Sequence, residues 1–119
     1  MANGYATIEG EGYQEGNLKL VLHYFRERNY KVISEAKKIA LKKYNELRCE
    51  VCNFSFYEHY GDRGINFIEG HHLKPISEME ENQITKPEDI CLICSNCHRM
   101  IHSEKPWLTI EELKLMYKD

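Results

Sequence analysis

Apolar and polar positions alternate between two rhythms along the chain. Leu18-Lys19-Leu20-Val21-Leu22-His23-Tyr24-Phe25 is apolar and partly alternating, which predicts a strand. Asn29 can cap a following helix, in which Val32, Ile33, Ala36, Ile39, Ala40, Tyr44 and Leu47 form an apolar stripe. Lys31, Lys38 and Lys42 then face solvent. Tyr60–Gly64 reads as a turn, Ile65–His71 as a short strand with Pro75 closing it, and Ser77–Glu88 as an acidic loop. Ile90–Ile93 predicts a second strand, in which Cys91 is a small buried hydrophobe. His98–His102 falls on a helix stopped by Pro106. Thr109-Ile110-Glu111-Glu112 is a capping box, opening a short helix with Leu113, Met116 and Tyr117 on its apolar side. Met1–Gly16 is rich in Gly and Glu and is expected to be poorly ordered at its start. Trp107, Tyr13 and the other aromatics are expected to fill the core.

Length and charge narrow this picture only modestly. A chain of 119 residues suits one folding unit able to bury roughly 65% of its unfolded surface. No apolar run approaches a membrane span and no signal peptide opens the chain, so a cytoplasmic protein with no membrane partner is expected. The net charge is −3, yet Arg26–Arg48 carries eight basic and three acidic residues. That segment is therefore +5 on a remainder of −8, which suits contact with a nucleic-acid backbone as well as it suits a solvated helix face.

The cysteines change the picture most. Cys49-Glu50-Val51-Cys52 and Cys94-Ser95-Asn96-Cys97 are two Cys-x-x-Cys turns, 45 positions apart. Together they supply four thiolates, the tetrahedral set of a closed structural zinc site that fastens the start of a core to its end. Disulfides, or a redox Cys-x-x-Cys, are the competing readings, and two paired turns suit them less. The histidines form another set: the adjacent His71-His72, then His98 and His102 at i, i+4, which one helix face can present to a single ion.

In this order the motifs (Cys-x-x-Cys, His-His, Asp-Ile-Cys-Leu-Ile-Cys-x-x-Cys-His, His) resemble the HNH nucleases with a ββα-metal core. The likeness is to the branch with a four-cysteine zinc site that includes methylcytosine-dependent restriction endonucleases. It covers about Cys49 to His102, with a weaker likeness upstream from Arg26-Glu27-Arg28-Asn29. It implies an α+β chain: a ββα-metal core with two zinc knuckles, preceded by a strand and an amphipathic helix and followed by a short C-terminal helix. Residues 1–48 would be an extension packed on the core and 49–119 the nuclease domain.

The resemblance also implies roles. Cys49, Cys52, Cys94 and Cys97 would hold zinc, and His71, His98 and His102 a catalytic divalent ion: Mg²⁺, Mn²⁺, Zn²⁺, Ni²⁺ or Co²⁺. Three imidazoles favour the later metals over Mg²⁺. His72 would be the general base, with one more metal ligand as its alternative role. Asp89 stands where the family usually has Asn; it can accept a hydrogen bond, pin the loop behind the base and raise the basicity of His72. Lys74 and Arg99 flank the site as candidate phosphate contacts, with Lys31, Lys38 and Lys42 as candidates on the helix. The implied activity is hydrolysis of DNA to 5′-phosphate and 3′-hydroxyl ends, in restriction or in phage or mobile-element DNA processing. A dimer would be the simplest way to cut both strands. The alternatives are a non-catalytic zinc module that binds nucleic acid or protein, and a cysteine-based redox protein.

Overall fold

The computed structural model describes residues 16–74 and 84–119. Helix α1 runs unbroken over Gly16–Tyr44, so the strand expected at Leu18–Phe25 is helical and Asn29 lies inside the helix rather than capping it. The reason is visible in the spacing: Leu18, Val21, Leu22 and Phe25 also recur at i, i+3, i+4, i+7. No Gly or Pro stands between Gly16 and Gly61 to interrupt that pattern. The helix ends where Asn45 adopts a left-handed φ of 65° and its N–H donates to the Leu41 carbonyl at 2.8 Å, a C-terminal cap.

Residues Lys31–Asp119 form one compact unit, and Met1–Tyr30 form a second whose described part is the first half of α1. Within the larger unit, α2 (Phe56–Tyr60) and a 3₁₀ turn (Gly61–Gly64) precede strand β1 (Glu69–His72). The expected strand from Ile65 is thus shorter and later, because Asn66 takes φ 59° and breaks the extended run. A 3₁₀ turn (Pro87–Asp89) leads into β2 (Ile90–Ile93), followed by α3 (Ser95–Ile101) and α4 (Ile110–Met116). The helix carrying His98 ends at its cap, His102, four residues before Pro106. The capping box of α4 is present: Thr109 Oγ1 accepts from the Glu112 amide at 3.1 Å and Glu112 Oε1 from the Thr109 amide at 2.8 Å. The expected roles of Pro75, Tyr13, the start of the chain and residues 77–83 of the acidic loop lie outside the described residues.

β1 and β2 pair antiparallel, with Glu69 opposite Ile93, Gly70 opposite Leu92, His71 opposite Cys91 and His72 opposite Ile90. The two-residue period of a strand sends these pairs to alternate faces. Ile90 and Leu92 join Ile68, Ala36 and Leu47 in one buried cluster, covered by Val32, Ile33, Ala40 and Leu41 of α1. Cys91 and Ile93 join Ile101, Ile110 and Leu113 in the other, on the side of α3 and α4. Ile93 and Ile101 have no exposed surface, and burying each contributes roughly 1.5–3 kcal/mol. Ile39 and Tyr44, expected in the α1 stripe, are 56% and 62% exposed, and Met116, the last residue of α4, and Tyr117, its C-cap, are also exposed.

Gly70 is what lets α1 lie close on the sheet. A Cβ built there would stand 2.8 Å from Ile33 Cγ1 and 3.0 Å from Ile33 Cγ2. Gly70→Ala should therefore cost about 1–3 kcal/mol by overpacking. Urea denaturation should show this, and an Ile33→Ala background should remove most of it. Equal costs in the two backgrounds would mean that the contact is not what demands glycine.

Candidate metal centres and active site

Among the described residues two clusters of ligand-type side chains come together: Cys49, Cys52, Cys94 and Cys97, and His71, His98 and His102. Within each, the ligand atoms lie within 4.8 Å of one another.

The four cysteines converge because two knuckle turns face each other across the core. In the first, Asn53 takes φ 67°, its amide donates to the Cys49 carbonyl at 2.9 Å, and the Cys49 amide donates to Phe54 at 3.0 Å. The amides of Val51 and Cys52 point at Cys49 Sγ, at 3.4 and 3.5 Å. The second turn is the start of α3: Cys94 is its N-cap, and its sulfur accepts from the Cys97 amide at 3.4 Å. Glu50 locks the first knuckle to the sheet, its amide donating to the Leu92 carbonyl at 2.9 Å and its carboxylate accepting from the Leu92 amide at 2.7 Å.

Cys52 Sγ and Cys94 Sγ stand 3.7 Å apart, and all five cysteines are free thiols. Zn–S bonds of about 2.3 Å give a tetrahedron with edges of about 3.8 Å, so the donor set fits that ion. Burial pushes the Cys52 thiol up to about 11 and raises Cys97 further. At Cys49 burial also opposes the thiolate, but the amides of Cys52, Cys94 and Val51 outweigh it and the net shift is downward. Four thiolates this close require a cation between them. Cys91 stays outside the cluster as a buried neutral thiol, pushed up to about 12 by burial and then by Glu50.

The imidazoles come from two elements. His71 lies on the α3 side of β1; His98 lies in α3, and His102 caps that helix one turn later. Their ring centroids are 5.4 Å (His71–His98), 5.2 Å (His71–His102) and 5.0 Å (His98–His102) apart. Burial, then the neighbouring histidines, pulls His71 down to about 4, and burial and His98 lower His102. Both rings are therefore neutral at pH 7, the form that binds a metal. His98 donates from Nδ1 to Glu69 Oε1 at 2.8 Å, which leaves Nε2 as its ligand atom. Trp107 packs edge-on against the His102 ring with centroids 4.3 Å apart.

His72 stands apart from this set. It pairs with Ile90 on the other strand face, and its Nε2 is buried with no hydrogen-bond partner. An orphaned buried nitrogen is rare, and in a native structure such a group calls for an explanation. Burial lowers its pKa most, Asp89 opposes this, and His98 adds to the lowering; the net shift is downward. Asp89 is placed behind it. Its carboxylate accepts from the Lys86 amide at 2.8 Å, and its carbonyl from the Leu73 amide at 2.9 Å. The aspartate thus closes the turn before β2 onto the end of β1, and acts on His72 through its charge.

The basic candidates are spread out. Lys74 lies exposed just past β1, and Arg99 lies exposed on α3 beside His98. Lys31, Lys38 and Lys42 are exposed on α1, which packs against the sheet face opposite to His71. Lys37 is half-buried; burial lowers its pKa, with Glu69 opposing.

Two residues of the site escaped sequence reasoning. Glu69 precedes His71 by two positions, so strand periodicity alone puts both on one face. Trp107 was expected in the core but is 38% exposed against His102, a contact between segments that no local pattern announces. Glu69→Ala should weaken binding of the exchangeable ion by about 10- to 100-fold, the usual effect of losing a carboxylate behind a ligating histidine. Calorimetric titration of divalent ion into chelator-washed protein measures this, and unchanged affinity would remove Glu69 from the site.

Residues 49–104 match the family model of the HNH endonucleases, a stretch that holds both knuckles, the three clustered histidines and His72. No curated protein and no solved structure is significantly similar to the chain. Among the described residues no helix is long and apolar enough to cross a membrane.

Proposed function

Residues 49–104 belong to the HNH endonuclease family, and on that premise we propose that the chain is a metal-dependent DNA endonuclease. The observation that carries the proposal is the orphaned His72 Nε2 beside three clustered imidazoles. Cys49, Cys52, Cys94 and Cys97 hold zinc and bind the two ends of the core together. His71, His98 and His102 hold the exchangeable divalent ion, with Glu69 fixing the tautomer of His98. When bound, that ion supplies Lewis-acid stabilisation of charge on the phosphate and on the departing oxygen.

His72 performs the proton transfer. Its Nε2 removes a proton from water, and the oxygen attacks phosphorus in line as the bond to the 3′ oxygen breaks. The 3′ oxygen leaves and is protonated from solvent, giving 5′-phosphate and 3′-hydroxyl ends. Asp89 stabilises the imidazolium that forms on His72 and holds the turn behind it. In this reading Lys74 and Arg99 hold flanking phosphates, while the lysines of α1 serve a more distant stretch of backbone.

Supercoiled plasmid should be nicked only when a divalent ion is supplied, and DNA ligase should reseal the nicks without prior end repair. A zinc module without catalysis would bind the plasmid and leave it supercoiled. Nicks that resist ligation would refute the assigned product chemistry.

A further inference from the structure

A cleft of about 690 Å³ opens beside His71 and His72, lined on its other side by Lys105, Pro106, Trp107 and Glu111. This is the size of a small-ligand site. Its chemistry is that of a nucleotide. Trp107 meets His102 in a T-shaped contact yet remains 38% exposed, so aromatic surface of the indole is available to a planar group. Lys105, exposed at the rim, is the cation within reach of a phosphate. One lysine beside one glutamate does not make a track for a run of backbone charges. The cleft therefore suits one nucleotide unit.

We propose that this cleft seats the unstacked base of the DNA nucleotide next to the scissile phosphate, with Trp107 and Pro106 as its stacking platform and Lys105 holding a phosphate oxygen. The proposal rests on the nuclease reading and deepens it. The same cleft is lined by His71 and His72, so a base resting on Trp107 lies beside the residues assigned to the ion and to proton transfer. Indole stacking accepts any base, because every base has a π-face. It also requires the base to leave its helix stack, which favours unpaired or distorted DNA over intact duplex.

The chain contains one tryptophan, so its fluorescence reports on this cleft alone. Full-length, zinc-loaded protein without added catalytic ion should be titrated with a short single-stranded DNA oligonucleotide, and with the same backbone carrying abasic sugars. The base-bearing strand should quench the indole and the abasic strand should not. Trp107→Ala should weaken binding of the base-bearing strand by about 5- to 150-fold, the range for removing one aromatic–base stack. Trp107→Phe should recover most of it, with the affinity for divalent ion unchanged in the Phe variant. Equal binding of the two strands, absence of quenching, or unaltered affinity in Trp107→Ala would overturn the proposal. Plasmid nicking by the wild type, scored separately, distinguishes the failures: nicking without quenching leaves the nuclease and removes the base site, whereas no nicking removes the nuclease reading itself.

Discussion

Cys97→Ser should leave residues 49–104 largely unfolded at room temperature. Cys97 is buried in the same cluster as Cys49, Cys94, Ile93, Ile101, Ile110 and Leu113, so this metal site sits in the core rather than on it. A structural zinc of this kind contributes roughly 10–16 kcal/mol of apparent binding free energy. The whole stability of a domain is about 5–15 kcal/mol. Serine is a poor zinc ligand at neutral pH, and without the ion the remaining thiols are close, buried and unpaired. Circular dichroism and amide NMR dispersion would report the loss, and strong chelation of the wild type should reproduce it. Cys91→Ala is the matching control: Cys91 is as buried and shares that core but is not one of the four clustered thiols, so that variant should fold and keep its zinc. A native-like, zinc-free Cys97→Ser protein would show that apolar packing alone holds the knuckles.

His72→Ala should lower DNA cleavage by about 10²- to 10⁴-fold, the usual contribution of a positioned general base. The variant should remain folded and keep both metals, since His72 is not among the three imidazoles that face one another. His98→Ala should instead lose the exchangeable ion together with activity. The pH profile gives an independent signature. Burial holds His72 below its ordinary 6.5, so the ring is already the free base at neutral pH. Wild-type cleavage should therefore fall only as the pH drops below about 6.5, through the lowered value, and at saturating divalent ion this acid limb should be weaker in His72→Ala. Release of the exchangeable metal by His72→Ala would make His72 a ligand. Full activity would leave the non-catalytic zinc module as the better account.

What could be read from the sequence was what is encoded locally. Two Cys-x-x-Cys turns, an i, i+4 histidine pair and a Thr-x-x-Glu cap each carry their geometry within four or five residues, and each stands where its spacing put it. The second strand was legible because Ile90–Ile93 is short, apolar and bounded by a turn and a knuckle. Leu18–Phe25 misled because a run so rich in apolar residues satisfies the strand and the helix period together. Only the absence of a breaker as far as Gly61 decides between them. Glu69 and Trp107 depend on tertiary contacts with His98 and His102, and such contacts leave no mark on neighbouring positions. Gly70 likewise shows no local sign of its role, because its missing Cβ makes room for Ile33 of a helix far away in sequence.

The central claim is that one metal holds the fold and a second, exchangeable one serves cleavage. It is tested most directly by assaying plasmid cleavage with chelator-washed protein whose metal content has been measured in the same sample. The account predicts about one zinc per folded chain, no cleavage until Mn²⁺ or another divalent ion is restored, and nicked DNA once it is. Undiminished cleavage by the washed protein, or a folded chain with no zinc, would contradict it.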